Sequence, residues 1–132
     1  MLEKHLGLRE RTKEFALRIL RLCDALPKTD AARAIGRQLL RSGTSVAANY
    51  RAVGRARSRA EFVAKMGIVI EEADETVFWL ELLVDSGMVP KARLNELSRE
   101  ANELVAIFVA SQKTAKKSGD RVNKGSGDRE IG

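Results

Sequence analysis

The stretch from Arg41 to Leu83 constrains the fold of this 132-residue chain more than any other. It has the pattern of the end of one long helix, a short basic corner and a second long helix that runs back. Apolar residues recur at three- and four-residue steps on both sides of the corner, which is typical of amphipathic helices. Ser58 and Glu61 have the capping-box spacing that marks the start of the second helix. The stretch therefore predicts a helical hairpin at the centre of the chain.

Two further amphipathic segments flank this hairpin. Pro27 ends the first of them, and Gly87 and Pro90 separate the hairpin from the last. The predicted helices cover residues 9–26, 30–55, 58–86 and 90–112, within a domain of residues 1–112. Short connections between four helices favour an all-α, antiparallel up-down-up-down four-helix bundle. The polar, Gly/Ser/Lys-rich residues 113–132 are predicted to form a disordered basic tail.

Folding the hairpin about its corner places Arg41 near Glu72. The pair is either partly buried and fixes the register of the two helices, or exposed and worth at most about 1 kcal/mol. Gly36 and Gly43 lie inside the second predicted helix, where a glycine costs about 1 kcal/mol relative to alanine. Close approach of another backbone would account for them. That backbone belongs either to the same bundle or to another subunit.

Phe78, Trp79 and Leu82 belong to an apolar run that surrounds most of the third predicted helix. A helix packed on one side of a monomeric bundle needs only an apolar stripe. The run therefore predicts contact with a second protein surface, most simply another copy of the chain. The alternative is that Phe78 and Trp79 pack beneath the first and fourth helices in a wide core. The candidate interface residues between copies are Gly36, Gly43, Phe78, Trp79 and Leu82.

Charge is distributed unevenly along the chain. Residues 28–65 hold nine Lys/Arg and two Asp/Glu, whereas residues 66–103 hold three Lys/Arg and nine Asp/Glu. The basic block predicts a surface for the phosphate backbone of RNA or DNA, and repetition in a ring would strengthen each weak contact. The alternative is a solvated or intersubunit face neutralised by the acidic block. The candidate nucleic-acid-binding residues are Arg33, Arg37, Arg41, Arg51, Arg55, Arg57, Arg59 and Lys65.

The sequence lacks the residue combinations of common catalytic and metal sites. His5 is the single histidine and Cys23 the single cysteine, so neither a Ser-His-Asp triad nor a structural zinc set is expected. The carboxylates from Glu71 to Glu75 lack the Glu-x-x-His pairs of di-iron bundles. We therefore predict a non-enzymatic protein without a metal or cofactor. The lone cysteine and the absence of a signal-peptide pattern or a long apolar run predict a cytoplasmic chain without membrane contact.

The central stretch resembles the small bacterial four-helix-bundle proteins of the ribosomal-RNA intervening-sequence family. The matching segments are Gln38 to Arg41, Ser45, Ala48 to Arg51, Arg55 to Phe62, Glu72 to Thr76 and Trp79 to Leu83. The resemblance implies a left-handed antiparallel bundle that assembles into a homopentamer. A more distant relative, the accessory protein of diversity-generating retroelements, binds nucleic acid and a reverse transcriptase. That relationship implies a basic accessory role.

The chain departs from the ribosomal-insert members at Tyr50 to Gly54, where those have an Ile-Ala-Glu-Gly-like run. This departure indicates a stand-alone branch and weakens the inference of a ribosomal RNA target. Two functions follow from the sequence. The favoured one is a homo-oligomeric scaffold or adaptor that binds another protein. The alternative is a nucleic-acid-binding accessory protein that contacts the RNA or DNA backbone.

Overall fold

The structure, a computed structural model, consists of four α-helices. It describes the backbone of residues 2–131 and the side chains of residues 7–119. The helices are α1 (Leu2–Asp24), α2 (Asp30–Val53), α3 (Arg59–Asp85) and α4 (Lys91–Ile131). Residues 2–131 contain no strand, which confirms the predicted all-α class and is consistent with a four-helix bundle. Among the described residues, no helix combines the length and the hydrophobicity that a bilayer crossing needs.

Side-chain caps set the starts of the two central helices. The Thr29 hydroxyl accepts a hydrogen bond from the backbone N–H of Ala32 at 3.2 Å and caps α2. The Ser58 hydroxyl accepts one from the backbone N–H of Glu61 at 3.0 Å and caps α3, as predicted. Such caps satisfy N–H groups that have no partner within the helix. Gly87, with a φ of 78°, takes the left-handed conformation just after α3.

The four helices surround one apolar core. α2 packs between α1 and α3, α3 also packs on α4, and α1 meets α4 least extensively. Within the described part of the chain, the backbones of α1 and α3 are not neighbours and neither are those of α2 and α4, so each of these pairs is diagonal across the core. The largest fully buried core side chains are Phe15, Ile19, Leu39, Met66, Leu80, Leu83, Leu104 and Phe108.

A buried polar contact crosses from α2 to α3. The Thr76 Oγ1 atom lies 2.9 Å from Ser42 Oγ and 2.8 Å from the Glu72 carbonyl oxygen. Ser42 Oγ also lies 3.3 Å from the Leu39 carbonyl oxygen. Both hydroxyls are therefore satisfied, which matters because a buried polar group without a partner costs about 1–3 kcal/mol. A shift of register would break this contact, so the pair helps to hold Arg41 opposite Glu72.

Gly36 and Gly43 permit the close approach of α1 and α2 within one chain. A Cβ atom added to Gly43 would lie 2.9 Å from Cγ1 of Ile19, and one added to Gly36 would lie 3.1 Å from Cδ1 of Leu26. Both glycines are buried in this contact. Their assignment to an interface between copies is thereby corrected, because the neighbour that requires their small size is α1 of the same chain.

Replacing Gly43 with alanine is expected to lower the free energy of unfolding by about 1–3 kcal/mol, because Ile19 must move to make room. Gly67→Ala is the matched control within a helix. Its added Cβ would meet nothing closer than Gln112 Nε2 at 3.4 Å, so the higher helix propensity of alanine dominates there. Urea denaturation of the two variants measures the difference. Equal stability of both variants would contradict a tight contact at Gly43.

α4 continues beyond residue 112, where the sequence predicts its end. Gln112 Nε2 donates a hydrogen bond to the Val63 carbonyl oxygen at 3.0 Å. About two turns further on, a Cβ added to Gly119 would lie 3.2 Å from Cδ of Arg59. The difference from the predicted disordered tail has a physical reason, since lysine and alanine favour helix and the start of α3 supports residues 112–119. Beyond Gly119 only the backbone is described, and it is helical to Ile131.

Candidate interaction surfaces

One side of α3 carries apolar side chains that the other helices cover only in part, and Glu71 and Glu75 interrupt them. The side chains of Phe78 and Ile68 are 51% and 47% exposed. Trp79 and Leu82 are half-buried near Phe78, and Ile68 lies about three turns earlier in the helix. A rotation of about 100° per residue brings these four positions to the same side of the helix. We call this surface the α3 face. A cluster of exposed apolar side chains of this kind is typical of an interaction site.

Phe78 and Trp79 differ in their surroundings. Trp79 packs against the core, and its indole Nε1–H donates a hydrogen bond to Glu75 Oε1 at 3.3 Å. Phe78 meets the Trp79 ring edge-on with a centroid separation of 4.9 Å, and its other side is open to solvent. The wide core considered from the sequence therefore includes Trp79 in part and leaves Phe78 outside.

Arg41 joins α2 to the acidic residues of α3. Its Nη1 lies 3.0 Å from Glu72 Oε2, and its Nη2 pairs with Glu75. The hydrogen bond from Arg41 is the main reason that the pKa of the Glu75 carboxyl is lowered, and the Trp79 indole acts in the same direction. The predicted proximity of Arg41 and Glu72 is confirmed. Arg41 itself is exposed and Glu72 half-buried, so the pair falls between the two sequence-based alternatives.

A basic groove lies between α1 and α2, near the start of α1. It consists of two neighbouring open clefts of about 300 and 390 Å³. Its basic side chains are Arg9 and Lys13 from α1, Arg51 from α2 and Arg55 from the turn after α2, and Glu10 is its acidic one. Small residues, among them Ala47, Ala48 and Gly54, form the floor. The groove can therefore admit an anion close to the backbone and surround it with cations.

Arg9 and Lys13 are not among the basic residues predicted from the sequence. Both lie on a helix whose basic residues do not stand out in the linear charge pattern, and only packing brings them beside Arg51 and Arg55. The i, i+4 spacing of Arg9 and Lys13 on an amphipathic helix was the available signal, because such residues share one face.

The other predicted basic residues lie in three different places. Arg33 and Arg37 line a separate open cleft of about 340 Å³ at the opposite end of α2, together with Lys28. Arg57 and Arg59 are exposed at the corner between α2 and α3, and Lys65 pairs with Glu61 at 3.6 Å. The eight candidates therefore do not form one continuous stripe. Arg51 and Arg55 lie beside Arg9 and Lys13 of α1, and Arg41 forms ion pairs with carboxylates of α3.

Cys23 borders the cleft that contains Arg33 and Arg37. Burial is the main reason that its pKa is raised to about 11, and its Sγ–H donates a weak hydrogen bond to the Gly36 carbonyl oxygen at 3.5 Å. Its thiol is thus protonated at neutral pH, and a protonated thiol is a poor nucleophile. Among the described residues, no group of three or more His, Cys, Asp or Glu side chains could hold a metal ion. The side chain of His5 lies outside the described residues.

Arg11 connects α1 to α4, the neighbouring helix against which α1 packs less extensively than against α2. Its Nε and Nη2 atoms lie 2.8 and 2.6 Å from the two carboxylate oxygens of Glu100, and Nη2 also lies 2.7 Å from Glu103 Oε2. The hydrogen bond from Arg11 is the main reason that the pKa of the Glu100 carboxyl is lowered. The clamp that Arg11 forms with Glu100 and Glu103 was not predicted from the sequence, because these residues lie on the first and last helices.

Replacing Arg11 with alanine is expected to lower the free energy of unfolding at pH 7 by about 1 kcal/mol. The loss should shrink in acid. Because the folded-state pKa of Glu100 lies below its ordinary 4.5, its contribution is complete above that value and disappears as the pH falls through the folded pKa. Urea denaturation between pH 7 and pH 3 measures both effects. Arg99→Ala, an exposed change on α4, is the control; the proposed clamp is wrong if the two variants lose stability equally at pH 7.

Comparison with known proteins identifies a family and a similar solved structure. Residues 4–110 match the family described as 23S rRNA-intervening sequence protein. A crystal structure from Bacteroides thetaiotaomicron VPI-5482, of a protein with unknown function from the S23 ribosomal protein family, is 33% identical in sequence. It superposes with a TM-score of 0.77 over 83% of this chain and 98% of that chain. None of the curated proteins matches the chain. The family match takes in the whole of α2 and α3, where the α3 face and six of the eight basic residues predicted from the sequence lie.

Proposed function

The chain belongs to the 23S rRNA-intervening sequence protein family, and from this premise we propose that it is a non-enzymatic, homo-oligomeric scaffold. In this proposal the four helices form a left-handed, antiparallel up-down-up-down bundle. Five copies assemble into a ring in the cytoplasm, and the ring presents binding surfaces to another protein. Contacts between Ile19 and Gly43 and between Leu26 and Gly36 support antiparallel packing of α1 and α2, because the residue numbers run in opposite directions.

The observation that carries the proposal is the α3 face. Phe78 and Ile68 each leave about half of their surface in water, and Trp79 and Leu82, on the same side of α3, are half-buried. Burial of apolar area contributes roughly 25 cal/mol per Å², so covering this face would stabilise an assembly. Aromatic side chains are also enriched among the residues that contribute most to protein interfaces.

A second apolar patch supports a ring in preference to a twofold dimer. Leu17 and Leu20 of α1 are 36% and 41% exposed. α1 and α3 are not neighbours in the bundle, so the two patches are separate surfaces of the molecule. An isologous dimer uses one patch twice, whereas a head-to-tail contact uses two different patches and closes into a ring when the rotation permits. We therefore assign the α3 face of one copy to the α1 patch of the next.

The mass of the purified protein in solution tests the scaffold proposal. Light scattering after size exclusion should give five times the chain mass of 14.6 kDa, with little change on dilution through the micromolar range. A mass of one chain throughout that range would contradict self-assembly.

Binding of the nucleic-acid backbone is a second candidate function, and the basic groove between α1 and α2 favours it. The single tyrosine, Tyr50, is buried and stacks on Phe108, so it offers no platform on which a base could stack. Contacts would accordingly go to phosphates and carry little sequence information. We expect the affinity for RNA or DNA to fall steeply with rising salt, and fluorescence anisotropy measures it.

A further inference from the structure

The basic side chains concentrate at one end of the molecule. The start of α1 and the end of α2 meet there, because Arg9 and Arg51 line the same cleft. The start of α3 and residues 112–119 of α4 join them, because Gln112 bonds to Val63 and Gly119 lies against Arg59. We call the described segments 7–13, 48–65 and 112–119 the basic end.

Charge at the basic end is nearly all of one sign. Its three segments hold eleven Lys/Arg and two Asp/Glu. At the opposite end, residues 18–34 and 82–96 hold six Lys/Arg and four Asp/Glu. Arg11 and Lys65 are engaged by carboxylates, and the other nine cations of the basic end form no ion pair with any described carboxylate. A concentration of unneutralised charge costs free energy through mutual repulsion, and a polyanion relieves that cost.

We propose that the basic end binds the sugar–phosphate backbone of a nucleic-acid duplex. The inference rests on the second candidate function and goes beyond it in two respects. It places the contacts at one end of the bundle, and it adds Arg9, Lys13 and the lysines of α4 to the arginines of α2. Lys113, Lys116 and Lys117 are exposed and extend the positive surface past the corner formed by Arg57 and Arg59.

The chemistry of the basic end favours a duplex over a single strand. Proteins that bind single strands without sequence preference stack the bases on exposed aromatic rings. At this end Tyr50 is buried and Phe62 is half-buried, and no other aromatic residue occurs in the three segments. Guanidinium and ammonium groups arranged around an open groove instead suit phosphates, whose spacing is regular along a duplex.

Two variants that lose the same number of positive charges test where on the bundle the nucleic acid binds. The end variant replaces four groove cations with alanine: Arg9, Lys13, Arg51 and Arg55. The far-end variant replaces four exposed cations of the opposite end with alanine: Lys28, Arg33, Lys91 and Arg93. Binding is measured by fluorescence anisotropy with three labelled probes of the same length: a DNA duplex, an RNA duplex and a single strand. The salt concentration runs from about 25 to 200 mM, the range over which phosphate contacts weaken steeply.

The unmodified protein should bind both duplexes with similar affinity and more tightly than the single strand. Because each phosphate contact on B-DNA adds about 0.9 to the log–log salt slope, the end variant should lose about 3 to 4 units of slope on the DNA duplex. The far-end variant should lose less than one. Equal losses in the two variants would overturn the location while leaving the second candidate function in place. Absence of binding by the unmodified protein at 50 mM salt would overturn both.

The mass of each variant separates these outcomes from the scaffold proposal. The end variant should keep the mass of the unmodified protein, because its substitutions avoid the α3 face and the α1 patch. A loss of assembly in the end variant would show that the basic end contacts the acidic part of a neighbouring copy, which contradicts the inference. A monomeric protein that still binds duplexes through the basic end would contradict only the scaffold.

Discussion

Replacing both Ile68 and Phe78 with aspartate is expected to convert the assembled protein into single chains. Each side chain is about half exposed within one chain, so the fold of the monomer tolerates the change. In the proposed assembly the same positions would be buried against another copy, where an unpaired charge is costly. Interface residues of this kind typically contribute about 2 kcal/mol or more each, so the two substitutions together should weaken association by a factor of about 1,000.

Light scattering measures the mass, and circular dichroism checks that the helices remain. The control replaces Ala92 and Ala106 with aspartate, which adds the same charge at two exposed positions of α4. The control should keep the mass of the unmodified protein. If both variants dissociate, added negative charge rather than the α3 face is responsible. If neither dissociates, the copies meet elsewhere.

Local sequence signals predicted the helices well because the ends of helices depend on nearby residues. Ser58 caps α3 as its spacing to Glu61 indicates, and Gly87 follows the end of α3. Repeated apolar positions on the four predicted helices also indicated which of their faces enter the core. The far end of α4 was predicted less well, because contacts of Gln112 and Gly119 with α3 involve residues about 50 positions away in the chain.

The candidate sites depended on tertiary packing and were predicted only in part. The pattern around Gly43 indicated a close neighbour, but only the structure identifies that neighbour as Ile19 of the same chain. The arginine spacing on α2 indicated one basic face. In the structure Arg41 turns to the carboxylates of α3, while Arg9 joins Arg51 from another helix. A one-dimensional charge pattern cannot distinguish a cation that pairs internally from one that faces solvent.

Replacing Phe108 with alanine is expected to lower the free energy of unfolding by about 3–5 kcal/mol, which is a large share of the 5–15 kcal/mol typical of a folded domain. Phe108 lies on α4, has no exposed surface and stacks on Tyr50 of α2 with a centroid distance of 5.6 Å. Its removal leaves a cavity in the core between α2 and α4, two diagonal helices whose backbones are not neighbours within the described residues. Urea denaturation, monitored by circular dichroism, gives the midpoint and the slope of the unfolding transition.

Phe78→Ala removes the same atoms from the α3 face and is the matched comparison. In the single chain it should change the free energy of unfolding by about 1 kcal/mol or less, because Phe78 is half exposed. In the assembly its effect should depend on concentration, since association of folded chains raises the apparent stability by mass action. The unmodified protein should therefore denature at a midpoint that rises with protein concentration, and Phe78→Ala should reduce that rise. A loss of stability as large as that of Phe108→Ala, and equal at all concentrations, would place Phe78 in the core and remove the main support for the α3 face as an assembly surface.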